Sequence, residues 1–315
     1  MVPREHEGPF EAFAGSRLLL LDHTHNLHSV FRDDTTLSGG LWDVLATLPS
    51  LVPPGPIGML GLAAGTVPRI IAAHYPCGPT VDLSPDSPAP LRSCGAHNCH
   101  SGRLHHGSGG ASSPSFPGRY RGASSSSSSP ASERYLVHGW ELDPAVVAAG
   151  RAYLGMRQLE EAGKLVVHVG DALAPEARVP GGFSGIIVDL FAGGRLLPQL
   201  TKRSTWEALR SRLAPGPRPR LLANLGQAPP RVPGMRWHSE AYTTLRAYEA
   251  LEAAFEGDVS LLTFQSNTLA LTGPLPAPEE WPGSLPPGLR HLGREGCWER
   301  DVYPLQTYQV PLSLF

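Results

Sequence analysis

Short apolar runs alternate with helical stretches along most of this chain, and that alternation restricts the fold more than any other feature. Strands are expected at 17–21 and 26–31, a hairpin-like start around His23, Thr24 and His25. A helix follows at 41–48 and should stop before Pro49. An apolar run at 56–62 leads to a short helix at 67–74. Beyond residue 134 come a strand at 135–140, a helix at 144–153 with Pro144 in its first turn, and a strand at 165–169. The run at 183–190 has a continuous apolar centre, Ile186–Ile187–Val188, suited to a strand buried on both faces. A helix at 205–213, a strand at 221–225, a helix at 242–255 and a closing pair of strands at 259–264 and 268–272 complete the pattern. Strands and helices alternating at this spacing mean a parallel α/β sheet. The expected organisation is a hairpin with a connecting helix over 1–50, the α/β domain over 51–275, and a Pro-rich tail over 276–315.

One segment breaks the pattern. The chain holds 35 Gly and 33 Pro in 315 residues, where average usage would give roughly 38 together. With 17% charged and 41% hydrophobic residues, a coiled coil, a collagen and a wholly disordered chain are excluded. The sharpest local departure lies in residues 78–133, where 15 of 56 positions are Ser, 8 are Gly and 7 are Pro, and the few large apolar residues follow no period. Such a stretch cannot bury enough surface to offset its ordering entropy, so it reads as a disordered insertion, or else as a retained intron.

Charge and cysteine usage exclude other classes. The net charge of −2 advertises neither a nucleic-acid nor an anionic-membrane partner. No apolar run approaches a membrane span. The first 16 residues carry Glu5, Glu7 and Glu11 and lack the apolar core of a secretory signal. Four cysteines in a chain of this length make no disulfide framework, and a soluble, reducing, cytoplasmic setting is expected.

The ligand-binding signal begins where the strand at 57–60 runs into Gly61–Leu62–Ala63–Ala64–Gly65–Thr66. Gly61, Ala63 and Gly65 hold positions at which small residues let a chain turn sharply and approach a ligand. Thr66 is placed to cap the next helix. A nucleotide site of this kind wants an acid about 20 residues further on, at the end of the following strand, to hold ribose hydroxyls. Glu141 lies 76 residues beyond Gly65, and 20 once the 56-residue stretch is discounted. The segment that composition marks as foreign is the one whose removal restores the spacing. Glu141 ends an apolar strand, with Leu142 beside it in the expected contact set. Asp171, at the end of the next strand, can accept from an adenine amine while the Ala172 N–H meets a ring nitrogen. Asp189 ends the strand after that. Open α/β sheets bind ligands at these carboxyl ends.

These pieces, with Glu141–Leu142–Asp143–Pro144 and Ile186–Ile187–Val188–Asp189, resemble the class I S-adenosylmethionine-dependent transferases, and within them the spermidine synthase-like branch. The resemblance covers about residues 17–272 apart from the insertion. It implies a Rossmann-like class I methyltransferase sheet behind a small N-terminal β-hairpin. It further implies a site for S-adenosylmethionine or its decarboxylated form: methionine moiety along Gly61, Ala63 and Gly65, ribose on Glu141, adenine at Asp171 and Ala172. Asp189 matches the acid that helps deprotonate the attacking amine in polyamine synthases. A homodimer is implied as well, with the apolar tail from Cys297 to Phe315 as its contact.

The chain departs from that branch at three places. The branch's Asp-Ser-(Ser/Thr)-Asp-Pro loop reads Asp189–Leu190–Phe191–Ala192–Gly193, without the second acid. Its Gly-Gly-Gly-Asp-Gly turn has Ala64 for the acid, and its Tyr-x-Glu stretch has Leu41 for the Tyr and Asp43 for the Glu. A cationic amine needs carboxylates and aromatic walls to replace its hydration. The leading reading is therefore a methyltransferase-like enzyme acting on a small-molecule substrate. Aminopropyl transfer and a non-catalytic, degenerate binding protein remain open beside it. No metal is expected: Cys94 and Cys99 with His97 and His100 lack zinc spacing, and His23 and His25 read as a solvated hairpin face.

Overall fold

The computed structural model describes residues 11–21, 26–75, 135–227, 239–264, 267–277 and 279–294. The stretch at 78–133, the four cysteines, His23, His25, His97, His100 and the tail beyond residue 294 lie outside the described residues.

The chain opens with an antiparallel hairpin, β1 (Arg17–Leu20) and β2 (Leu27–Phe31), followed by helix α1 (Leu41–Leu45). Next come β3 (Ile57–Leu60), α2 (Thr66–His74), β4 (Val137–Glu141), α3 (Pro144–Tyr153), α4 (Met156–Glu161) and β5 (Leu165–Val169). Then follow β6 (Gly185–Val188), the two-residue strands β7 (Phe191–Ala192) and β8 (Arg195–Leu196), and α5 (Arg203–Arg210). The last elements are β9 (Arg220–Gln227), α6 (Ser239–Ala254), β10 (Val259–Phe264), β11 (Asn267–Thr272), α7 (Trp281–Ser284) and α8 (Arg290–Arg294).

Seven strands form one sheet in the order β10-β11-β9-β6-β3-β4-β5. Five are parallel neighbours, and β11 enters antiparallel between β9 and β10. Numbered along the sheet this is 3-2-1-4-5-7-6, the mixed seven-strand arrangement of a Rossmann-like methyltransferase, with the N-terminal hairpin beside it as expected. The chain reverses direction across the sheet between β3 and β6, the switch point at which such sheets bind ligands.

Both faces are buried. Ile57, Met59 and Ile187 enter one apolar cluster with Val44, Leu45, Val67, Ile70 and Ile71 from α1 and α2. Leu60, Ile186 and Val188 enter a second with Trp206 and Leu209 from α5 and Leu251 from α6. The two-residue period of strand side chains delivers alternate residues to opposite layers.

Several expectations change. The helix expected over 41–48 is α1 followed by a 3-10 turn, Leu48–Ser50, with Pro49 inside the turn rather than beyond a helix end. Asp43 closes this segment: its carboxylate accepts from the Ser38 N–H (2.8 Å), the Ser38 hydroxyl (2.7 Å) and the Gly39 N–H (2.8 Å). Part of the expected tail is core, since Trp281, Leu285, Leu289 and Leu292 are buried in the α1–α2 cluster. Helix α4, starting at left-handed Gly155, was not expected.

At the edge opposite the strands' carboxyl ends, the chain leaves α2 at Tyr75 and re-enters β4 from Tyr135. The two rings meet edge to face with centroids 5.8 Å apart, and the Tyr75 hydroxyl is 2.9 Å from Ser50 Oγ. The two ends of the anomalous stretch therefore adjoin.

Candidate functional site

The turn after β3 is left-handed at three positions: Gly61 (φ 88°), Ala63 (φ 46°) and Gly65 (φ 85°). At Gly61 only glycine serves, because a Cβ would collide with the Asp189 carbonyl across the switch point. Every N–H from Gly61 to Gly65 has a protein acceptor. Gly61 and Leu62 donate to the Trp140 carbonyl (3.2 and 2.8 Å), and Gly65 donates to the Leu62 carbonyl (3.1 Å). Ala63 donates to Glu141 Oε2 and Ala64 to Ser29 Oγ, both at 2.9 Å. A turn whose donors are all engaged is no cradle for a phosphate, unlike the free N–H groups of a dinucleotide loop.

Thr66 is not the helix cap. Gly65 occupies that position, and the Thr66 side chain turns to the hairpin, accepting from the Val30 N–H (3.0 Å) and donating to the Val30 carbonyl (3.1 Å). Arg69 strengthens the joint through the Val30 and Thr35 carbonyls, with its guanidinium over the Phe31 ring. Thr66 therefore ties the turn to β2 through its side chain.

Glu141 stands where the corrected spacing puts it. One carboxylate oxygen takes the Ala63 N–H and the other the Asp143 N–H (3.1 Å), so the acid bridges the ends of β3 and β4. Asp143 in turn caps α3 by accepting from Ala145 N (2.7 Å). Leu142 is 72% exposed and Val169, beside Glu141 in the β4–β5 register, is 54% exposed. Two apolar side chains thus stand in solvent at adjacent strand ends, next to the carboxylate. Asp171 follows β5; its Oδ1 accepts from the Leu173 N–H (2.8 Å), which leaves Oδ2 to meet a ligand donor. Ala172 is buried, and its carbonyl accepts from Arg212 (2.7 Å).

Asp189, just past β6, completes the row. Asn224 on β9 donates to its Oδ1 (2.9 Å), and the Asn224 amide oxygen accepts from the Gly226 N–H (3.0 Å), which fixes the amide's orientation. Loss of solvent around the carboxyl pushes it up to about 6, against the opposing pull of the Asn224 hydrogen bond. Beyond Asp189 the chain forms the β7–β8 hairpin, turned by Gly193 and Gly194, with the Phe191 ring packed on Gly226.

The structure thus gathers Gly61, Ala63, Gly65, Glu141, Leu142, Asp171, Ala172 and Asp189 along the carboxyl edges of β3, β4, β5 and β6. Sequence reasoning missed Ser29, Asn224 and Arg212. Asn224 left a trace as the lone polar side chain inside an apolar strand. The arrangement presents three acceptors to a ligand rich in N–H and O–H donors. Among the described residues no group of three or more His, Cys, Asp or Glu side chains is placed to hold a metal, and no helix is long and apolar enough to cross a membrane.

No family model and no curated protein matches this chain. Similar solved structures include the spermidine synthase of Thermotoga maritima, 12% identical over 76% of this chain and 63% of that one, with a TM-score of 0.46. A probable spermidine synthase from Corynebacterium glutamicum is 14% identical, with 86% and 81% covered and a TM-score of 0.44. Human methyltransferase-like protein 13, in complex with SAH, is 12% identical, with 84% and 95% covered and a TM-score of 0.41. The chain spans 62% and 63% of the length of two spermidine synthases that it matches. At such identities the likeness concerns the fold and nothing finer, and the strand order carries the fold assignment by itself.

Proposed function

We propose that the protein is an S-adenosylmethionine-binding transferase of methyltransferase-like type. The observation that carries this reading is the Glu141 carboxylate, bonded to the Ala63 N–H across the strand ends and flanked by Asp171 and Asp189 on the next strands. A ligand suited to this row offers ribose hydroxyls to Glu141 and an exocyclic amine to Asp171, with its apolar ring edge near Leu142. The engaged N–H groups of the turn disfavour a pyrophosphate-bearing dinucleotide. The acceptor enters on the Asp189 side. There a carboxylate that is mostly ionised at neutral pH takes a proton from an attacking O–H or N–H group. The rest of the rate enhancement would come from holding donor and acceptor in line.

Aminopropyl transfer from the decarboxylated donor is the second reading, and Asp189 is the observation that favours it. Against it, Ala64 replaces the acid of the turn and Phe191 stands on the loop that lacks the second acid. A small-molecule acceptor rather than nucleic acid, a homodimer and a cytoplasmic setting belong to the same proposal.

Calorimetric titration of the purified chain with S-adenosylmethionine, its decarboxylated form and NAD tests this. Binding of S-adenosylmethionine, with weaker binding of the decarboxylated form and none of NAD, is expected. A preference for the decarboxylated donor would favour aminopropyl transfer, and a dinucleotide preference would overturn the proposal. Tight binding without transfer to any acceptor would leave the non-catalytic reading.

A further inference from the structure

Arg212, just past the end of α5, is 4% exposed. Its guanidinium reaches back under the β5–β6 connection, where Nη1 donates to the Ala172 carbonyl (2.7 Å) and Nη2 to the carbonyls of Leu173 (2.8 Å) and Ala174 (3.0 Å). The same three residues form the turn that aims Asp171. The Leu173 N–H donates to Asp171 Oδ1, and the Ala174 N–H to the Asp171 carbonyl (3.1 Å). No helix lies between β5 and β6 to brace this turn. What braces it is the arginine, which is itself held by its own backbone: the Phe183 N–H donates to the Arg212 carbonyl (2.9 Å). The Asp171 charge also acts on Arg212, opposing the downward pull of burial and of Arg178 on its pKa, as does Glu176.

We propose that Arg212 is a positioning residue for base recognition, clamping residues 172–174 so that Asp171 Oδ2 and the Ala172 N–H face the edge of the bound base. Three consecutive carbonyls need a planar fork of donors, which a guanidinium supplies and an ammonium does not. The inference rests on the reading of Asp171 and Ala172 as the base-facing pair. It goes beyond that reading by placing the origin of base selectivity on a side chain that never touches the ligand.

The test compares binding of S-adenosylhomocysteine with binding of its inosine analogue, which carries a carbonyl where adenine carries the amine. The wild-type chain should prefer the adenine form by about 10- to 100-fold, the worth of one hydrogen bond to a charged acceptor. Arg212→Lys keeps the charge and much of the bulk, and should shrink that preference to about threefold or less while the inosine analogue binds nearly as before. In an Asp171→Asn background the Arg212→Lys change should have no further effect on the ratio, as expected for residues acting as a unit. Thermal unfolding of each variant checks that it is folded. Equal weakening of both ligands, or an unchanged ratio, would make Arg212 a merely structural residue and overturn the inference alone. A wild-type chain that binds both ligands equally, or neither, would overturn the base-facing reading along with it.

Discussion

The two halves of the row of strand ends are built on opposite terms. On the β3–β4 side everything polar is matched: five successive N–H groups have acceptors, and both Glu141 oxygens are occupied by backbone donors. On the β6–β9 side the Asp189 carboxylate accepts one hydrogen bond, from Asn224, in surroundings that push it up to about 6. One half is finished before any ligand arrives, and the other holds a charge at a cost. Sites of binding are commonly of the first kind and sites of proton transfer of the second, because a general base works best with a pKa near the working pH. On the function proposed above, the contrast corresponds to donor binding on one half and acceptor chemistry on the other, a division that substitution can break.

The largest effect is expected on the matched half. Glu141→Ala removes the proposed ribose acceptors and the partner of the Ala63 N–H, and should weaken S-adenosylhomocysteine binding by about 100-fold in calorimetry, the equivalent of about 3 kcal/mol. Glu141→Gln keeps an acceptor and should lose less.

Replacing residues 76–134 with a turn of about four residues should leave ligand binding unchanged, because Tyr75 and Tyr135 already touch at the far edge of the sheet. By loop-closure entropy, at about 0.6 kcal/mol per doubling of length, the shortened chain should gain up to about 2 kcal/mol in urea unfolding. Loss of binding in the shortened chain would show that the stretch contributes to the site.

Asp189→Asn should separate chemistry from stability. The folded carboxyl titrates near 6, above its ordinary 3.8. The folded state therefore binds the proton more tightly, and stability falls as pH rises from about 4 to 6 before levelling off. The amide removes this slope and should stabilise the protein at pH 8 by about 1–2 kcal/mol. Transfer activity should fall while donor binding holds. A variant that loses donor binding instead would erase the division between the halves.

Ala63→Gly is the smallest change. Relief of a left-handed alanine, about 1–2 kcal/mol, is nearly offset by the extra chain entropy of glycine, so the net shift should stay within about 1 kcal/mol.

What the sequence disclosed depended on how local the cause was. Pro144–Tyr153, Leu165–Val169 and Val259–Phe264 form as expected, because a proline in the first turn or an apolar run decides each of them within a few residues. Glu141 was legible once the foreign composition of 78–133 was set aside. Thr66 was misjudged because its hydroxyl answers to Val30, 36 residues away, and no local pattern reports the docking of a hairpin. Arg212 was invisible for the same reason: its partners lie about 40 residues upstream. The β7–β8 turn did carry a local sign, the Gly193–Gly194 pair typical of tight hairpins, that went unread. The buried Trp281 and Leu285 were hidden by the prolines and glycines around them.

The Tyr75–Tyr135 contact makes the far edge of the sheet a seam. A chain that can be opened there and closed again leaves the opposite edge, where the carboxylates stand, undisturbed. A reporter or a whole foreign domain grafted into the seam would join the protein at the end remote from the row of carboxylates.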